Sequence, residues 1–206
     1  DIEKHRNIGH QLTVSPKYQI NEKSYVDIQY NYGFGNNNAL ASTDGMYRNL
    51  LGGLQEKIDK QGTQDSENPT HQVAARYYTE WKNGSTFVTN VSYANLKTES
   101  MQYIDEQINA DRQVTQVESD TKSRVYTADM DYLLPIASKF RLNMGWEYSL
   151  IQNESGTVYD GNSLDGRSFH TDTKDYMGSL YADLRFVRKK FMLGGGVRGE
   201  YNHRSD

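Results

Sequence analysis

The chain has 206 residues, 24% of them charged, a net charge of -4 and no cysteine. That balance excludes disulfides, thiol chemistry and Cys-ligated metals, and with no basic stripe it argues against a nucleic-acid partner. Mean hydropathy is -0.86 and no run reaches the length of a transmembrane helix, yet 12% aromatic residues with 16 Tyr set the chain apart from a disordered one.

Hydrophobic alternation with period two recurs along the whole chain and marks strands. A weak first strand covers Ile8 to Val14. In Ser24 to Gly35, Val26, Ile28, Tyr30, Tyr32 and Phe34 alternate with Tyr25, Asp27, Gln29, Asn31 and Gly33. Thr70 to Trp81 sets Val73, Ala75 and Tyr77 against Gln72, Arg76 and Glu80. Phe87, Val91 and Tyr93 form the next strand, and Tyr126, Met130 and Tyr132 the one after it. Phe140 to Leu150 and Tyr176 to Phe186 follow the same rule. The last strand, Phe191 to Asn202, spells a G-x-G-x-x-G with Gly194, Gly196 and Gly199. A dinucleotide turn would open a helix and meet an acid about 20 residues on. Here Phe191, Leu193, Val197 and Tyr201 alternate with Met192, Arg198 and Glu200, so these glycines belong to a strand. Their missing side chains make room for curvature or for a bulky neighbour such as Tyr181. On this reading Gly196→Ala leaves the strand intact with a modest effect. The count is about eight strands.

Connections alternate between short and long. Asn21 to Lys23, Lys82 to Ser85, Leu134 to Lys139 and Arg188 to Lys190 are tight turns, whereas about 36–69, 97–121 and 152–173 read as long polar loops. Met46, Leu50, Leu54 and Ile58 have helical spacing inside the first of these loops. Short turns on one side and long loops on the other are the plan of a membrane β-barrel. Aromatic residues at strand ends and charges in register on the polar face, Arg141 with Glu147 and Arg198 with Glu200, fit the same plan. The expected fold is therefore all-β: an antiparallel up-and-down transmembrane barrel, one unit over 1–206. The lumen-facing charges are Arg141, Glu147, Asp183, Arg185, Arg198 and Glu200. Leu142, Met144, Leu180, Leu184 and Val197 face lipid. A soluble β-sandwich that binds a partner shares the alternation and remains the rival.

Other chemistry is weakly marked. Asp160 to Gly166 misses the spacing of a calcium loop. His5, His10, His71, His170 and His203 show no ligand spacing, and Asp129 with Asp131 reads as inner-wall charge. No catalytic residue, cofactor or metal is expected.

The stretches "YTADMDYLLPIASKFRLNMGWEYS" and "YADLRFVRKKFMLGGGVRGEYNH" share one plan: a strand, a basic turn, a second strand and Glu-Tyr. Together they resemble the outer-membrane β-barrel family related to TonB-dependent receptors. Gly196, Arg198, Glu200 and Tyr201 match its Gly-x-Arg-x-Glu-Tyr strand. The resemblance implies a non-enzymatic barrel in the bacterial outer membrane that takes up a bulky nutrient. Its partners would be outer-membrane lipid and, through the rest of the protein, TonB and a surface lipoprotein. No plug or TonB box is recognisable, and Asn202 to Asp206 reads as the start of another loop, so the chain is expected to be an interior portion of a larger barrel; about eight strands closing by themselves is the alternative. A structural or assembly barrel without transport is the alternative within the same fold.

Overall fold

The computed structural model describes residues 2–48, 54–109, 111–161 and 167–205. Within them the chain runs through ten strands and no helix: β1 (Ile2–Val14), β2 (Lys17–Asn21), β3 (Ser24–Arg48), β4 (Leu54–Glu67), β5 (Thr70–Glu80), β6 (Thr86–Ile108), β7 (Asp111–Ala137), β8 (Phe140–Gly161), β9 (Arg167–Arg188) and β10 (Phe191–Ser205). They form one antiparallel sheet in the order β1-β3-β4-β6-β7-β8-β9-β10. Strand β2 continues β1 along β3, and β5 continues β4 between β3 and β6. Ten segments with two such continuations make eight up-and-down staves, the number that the alternation predicts.

The interruptions have a cause. The chain has three prolines, and each sits where the ladder breaks. Pro16 parts β1 from β2, Pro69 parts β4 from β5, and Pro135 opens the register shift before Ala137. Proline brings no N–H to a ladder. Its carbonyl still pairs: Ile28 N–H donates to Pro16 O at 3.0 Å, and Lys97 N–H to Pro69 O at 3.0 Å.

The tight turns lie where the sequence puts them. Gly84 takes a φ of 79° and Lys189 one of 48°. The side-chain carbonyls of Asn21 and Asn83 accept from the N–H of Lys23 (2.9 Å) and Ser85 (3.0 Å), which fixes each turn locally.

The long connections differ from expectation. Most of 36–69, 97–121 and 152–173 is strand rather than loop. Strand β7 alone has 27 residues, where about 9–11 cross a bilayer. Pairing between β6 and β7 continues from Thr86↔Leu133 up to Ile108↔Asp111. A reading by hydrophobic alternation misses these extensions because both of their faces are polar. The helical spacing in the first loop also dissolves. Met46 lies in β3, Leu54 and Ile58 lie in β4, and Leu50 is outside the described residues. Of the stretch with weak calcium-loop character, Asp160 and Gly161 end β8, and 162–166 are outside the described residues.

The described residues form no hydrophobic core. No apolar residue is buried among the described ones, and Leu180 and Val197 are 68% and 76% exposed. A β-sandwich of this length hides its apolar faces between two sheets. The described residues form one sheet, and its apolar face is bare.

The hairpins step down the sheet as they follow one another. Ser24, Thr79, Phe87, Tyr132, Met144, Ala182 and Val197 lie in one row of paired residues. Strand β8 starts at Phe140, four positions below that row, and the β9–β10 hairpin closes lower still at Arg188↔Phe191. Stagger of this kind accompanies the tilt of strands in a barrel wall. Among the described residues β1 pairs only with β3 and β10 only with β9, so the sheet is open at both edges.

Candidate functional site

Pairing register sorts the side chains onto two faces. On one lie Leu142 with Leu184, Met144 with Ala182 and Val197, and Trp146 with Leu180 and Gly199. On the other lie Arg141 with Arg185, Asn143 with Asp183 and Gly196, and Glu147 with Ser179 and Glu200. The five apolar residues singled out from the sequence thus share one face, and the six charged ones share the opposite face.

The apolar face is banded. From Phe140 to Leu150, β8 presents Phe140, Leu142, Met144, Trp146, Tyr148 and Leu150. Ten residue steps at about 3.3 Å, tilted by about 40°, give a band about 25 Å tall, the height of a barrel's lipid belt. Aromatic residues border it on both sides. Phe140 meets Phe186 at 5.0 Å and Trp81 meets Tyr132 at 5.8 Å near the short turns. At the other border Tyr30, Val73, Tyr93, Tyr126, Leu150, Tyr176 and His203 form one register row. In that row Tyr93 and Tyr126 meet at 5.0 Å. Beyond it the same face turns charged.

On the polar face one row runs Asp131, Gly145, Tyr181, Arg198 across β7, β8, β9 and β10. A Cβ on Gly145 would stand 2.5 Å from the Tyr181 hydroxyl and 2.3 Å from the Met130 carbonyl. The bare glycine lets the Tyr181 ring lie across β8 so that its hydroxyl donates to Asp131. Arg198 caps the ring from the far side, 5.9 Å from its centroid. The glycine that makes room for Tyr181 is thus Gly145, not one of the β10 cluster. Gly196 is also tighter than expected: an added Cβ would lie 2.8 Å from the Asp183 Cβ and 2.9 Å from the Ala182 carbonyl. The modest effect expected of Gly196→Ala is corrected accordingly, since backbone must shift there. Gly195 and Gly199, on the apolar face, meet nothing within 4 Å.

Arg198 is the hub of this wall. It donates to Glu147 at 2.7 Å and to Glu200 at 2.6 Å, and Ser179 Oγ donates to Glu147 at 3.1 Å. The pairing of Arg198 with Glu200 is the expected one. The expected partner of Glu147, Arg141, is not the real one. Arg141 stands six positions away on the same strand, and it is the guanidinium of Arg198 that reaches Glu147, across the small Ser179. Arg185 pairs with Asp183 at 2.8 Å, and Asn90 donates to Asp129 at 2.7 Å. Asp129, Glu147, Ser179, Arg198, Glu200 and Asn202 help line a concavity of about 360 Å³. Parity marks Asn90 and Ser179 as polar-face residues; only the register tells which charges they serve. The site offers charge and hydrogen-bonding groups along a wall. Among the described residues no group of three or more His, Asp or Glu is placed to hold a metal.

The RagAB solved structures share this fold. The RagAB peptide importer in its closed-closed state superposes with a TM-score of 0.62 at 12% identity, covering 95% of this chain and 28% of that one. Its open-open state gives 0.54 at 12% identity, over 95% and 27%. BauA, the ferric preacinetobactin receptor from Acinetobacter baumannii, gives 0.45 at 8% identity, over 98% and 40%. The chain therefore spans well under half the length of these proteins. No curated protein matches the sequence. Residues 79–205, more than half of the chain, match the model of the outer membrane protein beta-barrel family. A bare apolar belt, a charged opposite face and this match place the chain in the bacterial outer membrane as barrel wall, and it belongs to the outer membrane protein beta-barrel family.

Proposed function

We propose that this wall encloses the interior of a TonB-dependent receptor-like transporter for a bulky nutrient, with the apolar belt in lipid and the face centred on Arg198 lining the interior. The observation that carries the reading is a charged and hydrogen-bonded face on the same strands that carry the bare apolar belt. In lipid such a face is stable only when it is turned to an enclosed, solvated interior. Within it the wall does no bond chemistry, and energy arrives through TonB. RagAB is a peptide importer, which makes oligopeptides the first cargo class to test. A surface lipoprotein would meet the hairpins that project beyond the belt.

The test is uptake by cells in which the protein containing this wall is the sole route for labelled oligopeptide. Accumulation should stop when the proton gradient is collapsed. No uptake, or uptake indifferent to the gradient, would overturn the reading.

A further inference from the structure

Above the aromatic row both sides of the sheet are polar, yet charge gathers on one of them. On the side of the apolar belt, one register row holds Lys97, Lys122, Glu154 and Asp172, and the next row of that side holds Glu67, Glu99 and Asp120. On the side of Arg198, the rows just below, between and just above these hold no charged residue among the described ones. Ser, Thr, Asn, Gln and Gly fill them, apart from Leu96 and Phe169. Thr121, Ser155 and Thr171 stand across from one another in the middle row, and Ser100, Ser119 and Thr157 in the upper one. Charge returns below the band at Asp175 and Arg204, and above it at Arg167.

Solvation alone does not account for this segregation, because two faces in water would share the charge. Strand formation does not account for it either. Ser, Asn and Gly are weak strand formers, and the opposite face carries paired charges, Arg124 with Glu154 and Lys97 with Glu99, at the same height. The band instead has the chemistry of a contact surface for neutral, polar cargo. Its hydroxyls bond weakly to one another, Ser119 to Thr157 at 3.2 Å and Thr121 to Ser155 at 3.3 Å, and each can donate or accept. Peptide backbone and neutral polar side chains offer the same repertoire. A charged group pressed against the band sheds water and finds no counter-charge. At the upper edge Phe169, 64% exposed, meets Tyr159 at 6.1 Å and gives an apolar side chain a place to rest.

We propose that this band is where the wall contacts its cargo, and that it selects oligopeptides with uncharged side chains, one apolar side chain lying against Phe169. The proposal rests on the transport reading above and adds a rule of selection to it.

The experiment measures binding of end-blocked hexapeptides to the purified protein containing this wall. One probe has Gly, Ser and Asn around a single Phe; two others replace one Ser by Lys or by Asp. The neutral peptide should bind about tenfold more tightly than either charged one. Ser119→Asp should bring the Lys peptide level with the neutral one, and Ser119→Lys should do so for the Asp peptide. Val158→Asp, at nearly the same height on the opposite side, should leave the preference as in the parent. Phe169→Ala should weaken the Phe peptide and not its Gly counterpart. Equal binding of charged and neutral peptides would overturn the proposal, and so would a preference that Ser119 variants do not move. Tighter binding of a neutral oligosaccharide of similar size would overturn the peptide class. Gradient-driven uptake of charged and neutral peptides alike would end the selection rule and leave transport standing. No uptake of any peptide would end both.

Discussion

Over its lower half, strand β7 carries Tyr126, Ala128, Met130, Tyr132 and Leu134 on its outer face. Over its upper half the same face carries Glu118, Asp120, Lys122 and Arg124. Nothing in the ladder marks the change: β7 stays paired with β6 from Leu133 to Asp111 without a break. Neighbouring strands switch together, at Tyr93 before Lys97 on β6 and at Leu150 before Glu154 on β8. The comparison separates two properties that are often confused. Backbone pairing makes the strand; the solvent around it decides which side chains it carries. Within the belt, one face is apolar and alternation is sharp. Above it both faces are polar, and alternation fades while the strand continues.

Charge placed on the outer face should discriminate most strongly between the two regions. Met144→Arg puts a guanidinium in the middle of the belt and should destabilise the folded wall by about 2–4 kcal/mol. Asn143→Arg, on the polar face one residue away, should cost far less. Val158→Arg, on the outer face above the belt, should be nearly neutral. Reversible unfolding in lipid vesicles reads all three. A larger loss at Asn143 than at Met144 would reverse the faces.

The second effect probes the polar face inside the belt. Gly145→Ala pushes a Cβ against the Tyr181 ring and the Met130 carbonyl. Overpacking of this kind costs about 1–3 kcal/mol, and the hydrogen bond from Tyr181 to Asp131 should be lost with it. Gly199→Ala, open on the outer face, should be neutral or slightly stabilising. Equal losses at the two glycines in the same unfolding assay would remove the special role given to Tyr181.

How much of this was legible in the sequence follows from the same comparison. The strands of the belt, their tight turns and the split of Arg198 and Glu200 from Val197 are period-two facts, and pattern alone carries them. The upper halves of β6, β7 and β8 were not legible. "KTESMQYIDEQI" has no apolar parity to read, because both of its faces are polar. Partnership was the other gap. That Arg198 reaches Glu147, two staves away, depends on a register that no single strand encodes. Tyr181 and Gly145 likewise stand opposite each other only because the pairing of β8 with β9 sets that register.

Shortening the upper region tests its independence. Excising Met101 to Glu118 and closing Ser100 onto Ser119, which already face each other, with an Asn-Gly turn keeps the register of the belt. The unfolding free energy in lipid should change by about 0.5 kcal/mol or less, the scale of surface changes. Failure of the shortened chain to insert would show that the extension helps to form the wall.

The smallest effect is confined to the far end of that extension. Arg112 grips Asp105 with two hydrogen bonds, from Nε at 3.0 Å and Nη2 at 2.7 Å. The guanidinium holds the Asp105 carboxyl below its ordinary range. A group whose folded pKa is depressed stabilises the fold above its unfolded pKa and loses that contribution as pH falls through the folded value. An ordinary Asp titrates near about 3.9, so the pair is intact at neutral pH and weakens below about pH 4. Both residues are exposed enough for salt to screen them, so the change should stay local. Amide exchange at Gln107 and Arg112 should quicken relative to the intrinsic rate between pH 5 and pH 3, in the order-of-magnitude window set by that carboxyl. Asp105→Asn should show the faster relative exchange at both pH values. Exchange at Tyr132 and Met144, in the belt, should not respond. A belt that loosened in step with the tip would mean that the two regions unfold as one unit, and the separation between them would fail.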